Sequence, residues 1–209
     1  MSYIGGYMAG VKRLIDEIPE EQIEKLAGRL EEAWREGRRV LLMGNGGSAA
    51  TASHIVNDLQ KCLHLECGKP LKTLCLSDCT PLLMAWGNDT EYANVFAPQV
   101  ECWAEPGDLV IAISGSGNSP NVIQAVEAAN ARGANTFGLA GYKGGKLAAV
   151  AKETITVPSD NMQQIEDLHM ILLHVVFSTV RDRNKSGSGG VGESGRGGVG
   201  EYGSVGVGV

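Results

Sequence analysis

Residues 38–59 read RRVLLMGNGGSAATASHIVNDL, and this stretch decides the fold. The run Arg39–Met43 is apolar but too short for a buried helix, and it stops at a glycine cluster, Gly44-Asn45-Gly46-Gly47, before Ser48 opens an amphipathic stretch predicted as helix over Ser48–Leu63. Strand, tight turn and helix in that order make half of a βαβ unit. The same rhythm returns on both sides. Further strands are predicted at Leu71–Leu76, Leu109–Ile113, Thr136–Ala140 and Thr154–Val157, with helices over Glu91–Trp103, Pro120–Arg132 and Met162–Arg183. Ahead of the first strand, Glu20–Glu36 places Ile23, Leu26, Leu30, Ala33 and Trp34 on one helical face after Pro19. The fold class that follows is α/β: a three-layer αβα sandwich around a five-stranded parallel sheet, plus an N-terminal helix. The last helix is long and apolar over much of its surface, which suits burial between subunits.

At 209 residues and 43% hydrophobic content the chain suffices for one domain with a full core. That domain is expected over residues 1–185. From 186 to 209 the sequence turns to SGSGGVGESGRGGVGEYGSVGVGV, whose glycine content and lack of period read as a disordered tail. A net charge of -6 offers no basic footprint for nucleic acid or an anionic membrane. No apolar stretch approaches the roughly 20 residues of a membrane span, and acids interrupt the N-terminus too early for a signal peptide, so a cytoplasmic protein is expected. The five cysteines, Cys62, Cys67, Cys75, Cys79 and Cys102, form no CxxC pair and suit reduced thiols. Cys62, His64, Cys67 and Cys79 match no common zinc module.

In an open parallel sheet, ligands bind beyond the carboxyl ends of the strands. Two of those ends are dense in Gly and Ser: Gly44-Asn45-Gly46-Gly47-Ser48 and Ser114-Gly115-Ser116-Gly117-Asn118-Ser119. Each leads into a helix N-terminus, where free N–H groups and the dipole favour an anion and where hydroxyls add donors. Neither loop holds Lys or Arg, so this is dipole-based phosphate binding and not a P-loop. One such loop is readily a plain capped turn; two on neighbouring strand ends favour a phosphate site. Gly44-x-Gly46-x-x-Ala49 also fits the dinucleotide fingerprint, yet Asp78 lies well beyond the expected acid position and the second loop has no place in that motif.

A second group of residues suits a metal or acid–base chemistry. His54 and Asp58 stand four apart on the predicted helix beside the first loop, and Glu166, His169 and His174 lie on the last one. Glu166 and His174 are separated by roughly 12 Å along a straight helix, so one ion reaches both only with a lean in the first turn or across a subunit interface.

Taken together, GNGGSAATASHIVNDL, AWGND, GDLVIAISGSGNSPNVIQAV, GYKGGKLA and IEDLHMILLHVV resemble the phosphoheptose isomerase group of the sugar isomerase (SIS) domain family, over nearly all of residues 20–183. The resemblance implies a flavodoxin-like SIS sheet, a homotetramer, and conversion of sedoheptulose 7-phosphate to D-glycero-D-manno-heptose 7-phosphate. It implies that Asn45, Gly46, Gly47, Ser48, Asn88 and Asp89 line the sugar, and that Ser114, Gly115, Ser116 and Ser119 hold the phosphate. His54, Asp58, Glu166 and His174 match positions that hold zinc or a similar divalent ion, with Glu166 also touching substrate; the preference for His174 over His169 rests on this likeness. Asp58 and His174 are then the expected acid–base pair. The chain departs from the family pattern in having Asp58 for Glu, Glu166 for Gln, Cys62 where a basic residue is common, and Gly115 for Thr. A rival of another class is a non-catalytic SIS module that binds a phosphosugar or a protein, as the initiator-associating protein of bacterial replication does.

Overall fold

The structure, a computed structural model, describes residues 2–185; the glycine-rich segment expected as a tail lies outside the described residues. Five short β-branched or Leu-rich runs form the strands β1 (Arg39–Gly44), β2 (Lys72–Cys75), β3 (Leu109–Ser114), β4 (Asn135–Gly141) and β5 (Glu153–Val157). All pair in parallel, in the order β2-β1-β3-β4-β5. The strands lie within about two residues of their predicted bounds at either end.

Helices cover both faces, as a parallel sheet requires. They are α1 (Tyr3–Glu17), α2 (Glu20–Glu36), α3 (Gly47–Asn57), α4 (Leu63–Cys67), α5 (Thr80–Asp89), α6 (Ala97–Trp103), α7 (Pro120–Ala131), α8 (Leu147–Val150) and α9 (Met162–Asn184). Alternation along the strands divides the core in two. Val40 and Leu42, with Ile111, Ile113, Phe137 and Leu139, meet α2, α3 and α9 on one side. Leu41 and Met43, with Val110 and Ala112, meet α6 and α7 on the other. β3 is buried along its whole length, whereas the edge strand β2 alternates exposed and buried residues. Its edge is blunted by Gln60, whose Nε2 donates to the Thr73 carbonyl at 2.6 Å.

The structure corrects the helix boundaries in two places. The helix expected over Ser48–Leu63 starts one residue earlier, passes through a π-helical turn at Asp58–Cys62, and continues as α4 to Cys67, where Gly68 ends it with φ 77°. Glu91–Trp103, expected as one helix, is a 3-10 turn at Tyr92–Asn94 followed by α6, and α5 precedes both. Pro81 and Pro98 sit in the first turns of α5 and α6, where their missing N–H groups cost nothing. An extra N-terminal helix, α1, lies against α9. Among the described residues no helix is long and apolar enough to cross a membrane.

The strand order changes direction between β1 and β3, because the chain leaves β1 toward β2 on one side and returns to β3 on the other. A ligand crevice is expected above the carboxyl ends of those two strands.

Candidate functional site

Both Gly/Ser loops open at that point. A cavity of about 150 Å³ lies there, lined by Asn45, Ser48, Ile113, Ser114, Gly115, Ser116, Ser119, Met162 and Glu166. Its walls are fixed from behind. Ser77 Oγ donates to the Gly44 carbonyl at 2.8 Å and accepts from its N–H at 3.2 Å, splicing the end of β2 to the end of β1. Asn45 and the buried Asn121 exchange side-chain hydrogen bonds of 3.0 and 2.9 Å, tying the first loop to the first turn of α7. Tyr92 donates its hydroxyl to Asn45 Oδ1 at 2.8 Å. Ser114 and Ser119 stand 3.1 Å apart, hydroxyl to hydroxyl, so either hydroxyl can turn to an incoming anion.

The second loop rests on a third. Gly117 has φ 65°, and a Cβ there would run into the Gly144 carbonyl, while the Gly117 carbonyl accepts from Leu147 N at 2.9 Å. Backbone thus packs on backbone behind the cavity. At Gly115 the space a side chain would take is filled by the Met162 thioether, which reaches in from α9. At Gly47 an added Cβ would stand 2.7 Å from a Glu166 carboxylate oxygen. That carboxylate therefore lies over the start of α3, where the dipole favours it.

The second cluster faces outward from α3 and α9. His54 Nε2 and His174 Nε2 are 3.0 Å apart, and Asp58 Oδ2 lies 3.8 and 3.7 Å from them. The three form a group with the spacing of metal ligands. Asp58 is 15% exposed in its side chain, against 49% and 44% for the two imidazoles. Two nitrogens on a tetrahedral ion with bonds near 2.0–2.1 Å stand roughly 3.3 Å apart, so the separation suits a borderline-soft divalent ion.

The sequence-predicted residues thus divide between two places. Asn45, Ser48, Ser114, Gly115, Ser116, Ser119 and Glu166 meet at the cavity, with Gly46 and Gly47 in its first loop. His54, Asp58 and His174 meet at the cluster, and the structure leaves Glu166 out of it. Asn88 and Asp89 end α5, exposed and bonded to each other at 2.9 Å, away from the cavity lining. Of the two histidines on α9, His169 is a core residue. Its Nε2 meets the Ala140 carbonyl at 3.1 Å, and burial pushes its pKa down to about 4. Sequence reasoning missed Asn121, Tyr92 and Met162. Only Asn121 left a signal, a polar residue following Pro120 at the start of the helix that the second Gly/Ser loop leads into.

Residues 6–141 match the SIS domain family. The chain belongs to that family. Within it, the chain is 41% identical over 174 residues to the phosphoheptose isomerase of Aquifex aeolicus, covering 83% of this chain and 91% of the relative. Its fold overlays the phosphoheptose isomerase structures of Neisseria gonorrhoeae (TM-score 0.78, 30% identity) and Francisella tularensis (TM-score 0.79, 26% identity). Each overlay covers 86% of this chain and 95% of the other. The SIS domain is therefore of the phosphoheptose isomerase group. The sequence-based alternative, a non-catalytic SIS module, is not favoured by this company.

Proposed function

We propose that this SIS domain protein is an aldose–ketose isomerase that converts sedoheptulose 7-phosphate to D-glycero-D-manno-heptose 7-phosphate. The observation that carries the reading is the pairing of an anion cavity free of Lys and Arg with a His/Asp/His cluster whose His174 stands farther along α9 than the cavity's Glu166. A phosphoryl group fits the cavity, held by the Ser114, Ser116 and Ser119 hydroxyls and by the N–H groups of the loop that leads into α7. Asn45, Gly46, Gly47, Ser48 and Glu166 then meet the hydroxyls of the sugar, whose far end extends along α9 toward His174.

The isomerisation moves one proton between neighbouring carbons and a second between the oxygens they carry. A base takes the first from the carbon beside the carbonyl, and an enediolate forms. The same proton, or one from the paired acid, then goes to the neighbouring carbon. Asp58 and His174 share this work, with Asp58 Oδ2 3.7 Å from His174 Nε2. His54, Asp58 and His174 also fit zinc or a similar divalent ion, which when bound supplies Lewis-acid stabilisation of the enediolate oxygens. Glu166 joins the ligand set only through movement of its side chain from Gly47.

Asn88 and Asp89 complete the sugar site by a shift of α5, a helix without a single buried residue. Self-association, as a homotetramer, would cover Leu82 and Met84 of α5, Ile4 and Met8 of α1, and Ile171 and Val175 of α9, all exposed. The catalytic unit is residues 1–185, and the setting is the cytoplasm.

A panel of ketose and aldose phosphates, sedoheptulose 7-phosphate first, tests the substrate. Asp58→Ala and His174→Ala are expected to lower turnover by about 10²–10⁴-fold with the fold intact. Near-normal turnover in both variants would sink the assignment. Metal analysis of the purified protein separates it from a sensor, which needs no stoichiometric ion.

A further inference from the structure

The two oxygens of Asp58 keep different company. Oδ2 faces the imidazoles of His54 and His174. Oδ1 is held by the protein: Asn57 Nδ2 donates to it at 3.2 Å, and the Cys62 thiol stands 3.9 Å away, within reach of a weak S–H donor. A carboxylate is symmetric, so nothing in its own chemistry decides which oxygen turns to the histidines. Two donors on one oxygen do decide it.

Cys62 owes its place to the irregular turn. The π-helical segment Asp58–Cys62 lets Leu63 N–H bond back to the Asp58 carbonyl, five residues away, in place of the α-helical partner. The turn is anchored on both sides: Leu59 and Leu63 are fully buried, and Gln60 bonds to β2. The thiol is therefore presented to Asp58 by a fixed backbone. Asn57, exposed at the end of α3, supplies the other donor from the preceding residue.

We infer that Asn57 and Cys62 are positioning residues that lock the Asp58 carboxylate with Oδ2 toward the two imidazoles, so that three donors are preorganised for a divalent ion. This rests on the metal-assisted reading above. Groups behind a metal ligand fix its orientation, and their loss typically weakens metal affinity by about 10–100-fold. The pair also explains how a short carboxylate is kept in register with two half-exposed histidines.

The test measures zinc affinity of the full chain by competition with a chelator, and the ligand-field spectrum of the cobalt(II) form. Asn57→Ala with Cys62→Ala is expected to weaken binding about 10–100-fold and to broaden the cobalt bands, while each single change has a smaller effect. Cys67→Ala, which removes a thiol that bonds to the Arg181 carbonyl and not to Asp58, should leave affinity unchanged. If the unaltered protein binds one ion and the double variant binds it equally well, the inference falls alone. An equal loss in Cys67→Ala also overturns it, since the effect is then general loosening. A thiolate-to-cobalt charge-transfer band in the near ultraviolet overturns it in another way, because Cys62 then coordinates directly. Failure of the unaltered protein to take up an ion overturns the inference and the metal reading together.

Discussion

The cavity between β1 and β3 and the cluster on α3 and α9 are built from different materials. The cavity is made by backbone and short hydroxyls at the ends of two buried strands, and its loops are braced by other loops. The cluster is made by two imidazoles and a short carboxylate on helix surfaces, the imidazoles nearly half exposed. One region has its shape set by the fold itself; the other has its shape set by side-chain torsions and by whatever holds them. Changes at the cavity should therefore register as lost stability or lost affinity, and changes at the cluster as lost turnover in a folded protein.

The sharpest way to break that contrast is at Gly117. Alanine there needs a left-handed φ of 65° and a Cβ where the Gly144 carbonyl already lies. Neither neighbour is a flexible side chain, so the two loops must part. Gly117→Ala is expected to destabilise by about 2–4 kcal/mol and to abolish tight phosphosugar binding. Chemical denaturation and ligand-induced thermal shift check both. A stable variant with unchanged affinity would mean that the backbone stacking is incidental.

His169 links the two regions, because it clamps α9 to the end of β4 between Glu166 at the cavity and His174 at the cluster. Its folded pKa of about 4 lies below the ordinary histidine value of 6.5. The unfolded chain thus takes up the proton first as pH falls. Burial of the neutral imidazole, which outweighs the opposing bond to the Ala140 carbonyl, is without penalty above pH 6.5 and costs stability as pH drops toward 4, by about 3 kcal/mol in all. His169→Leu should be less stable at pH 7.5 yet show a flatter decline in unfolding free energy between pH 6.5 and 4. An unchanged slope would show that the acid sensitivity lies elsewhere.

Much of the cavity was legible in the sequence because its materials are local. Gly and Ser in two loops after short apolar runs announce tight turns and helix N-termini, whatever the rest of the chain does. The cluster was legible only in part. The four-residue spacing of His54 and Asp58 predicts their shared face, but nothing local distinguishes His174 from His169; that depends on how α9 is rotated against β4. Glu166 shows the same limit. Eight residues from His174, it falls at the cavity, as helix rise alone would have it. α1 was hidden for a related reason: Gly5, Gly6 and Gly10 give YIGGYMAG a poor helix propensity. Tertiary bonds to α9 override it, from Tyr7 Oη to Asp167 at 2.6 Å and from Gln164 Nε2 to the Tyr7 carbonyl at 3.1 Å. The run TPLLMAWGND lost its helical signal because no residue of α5 is fully buried and only Leu83 and Trp86 pack, half-buried, against the core.

The mildest change sharpens the comparison most. Ser119 stands beside Ser114 at the mouth of α7, and alanine there removes one neutral donor while leaving the loop backbone and the dipole of the helix in place. A hydrogen bond to a charged group contributes about 1.5–3 kcal/mol, and the neighbouring hydroxyl and amides take up part of that loss. The phosphate is held with the same contacts in substrate and transition state, since it does not react. Ser119→Ala should accordingly raise KM by about tenfold with kcat nearly constant, the pattern of lost uniform binding. At the cluster the opposite pattern is expected, because Asp58 and His174 act only where charge and proton move. If Ser119→Ala lowered kcat as Asp58→Ala does, the cavity would have to be counted as part of the reacting centre, and the division between a backbone-built anchor and a side-chain-built reaction site would fail.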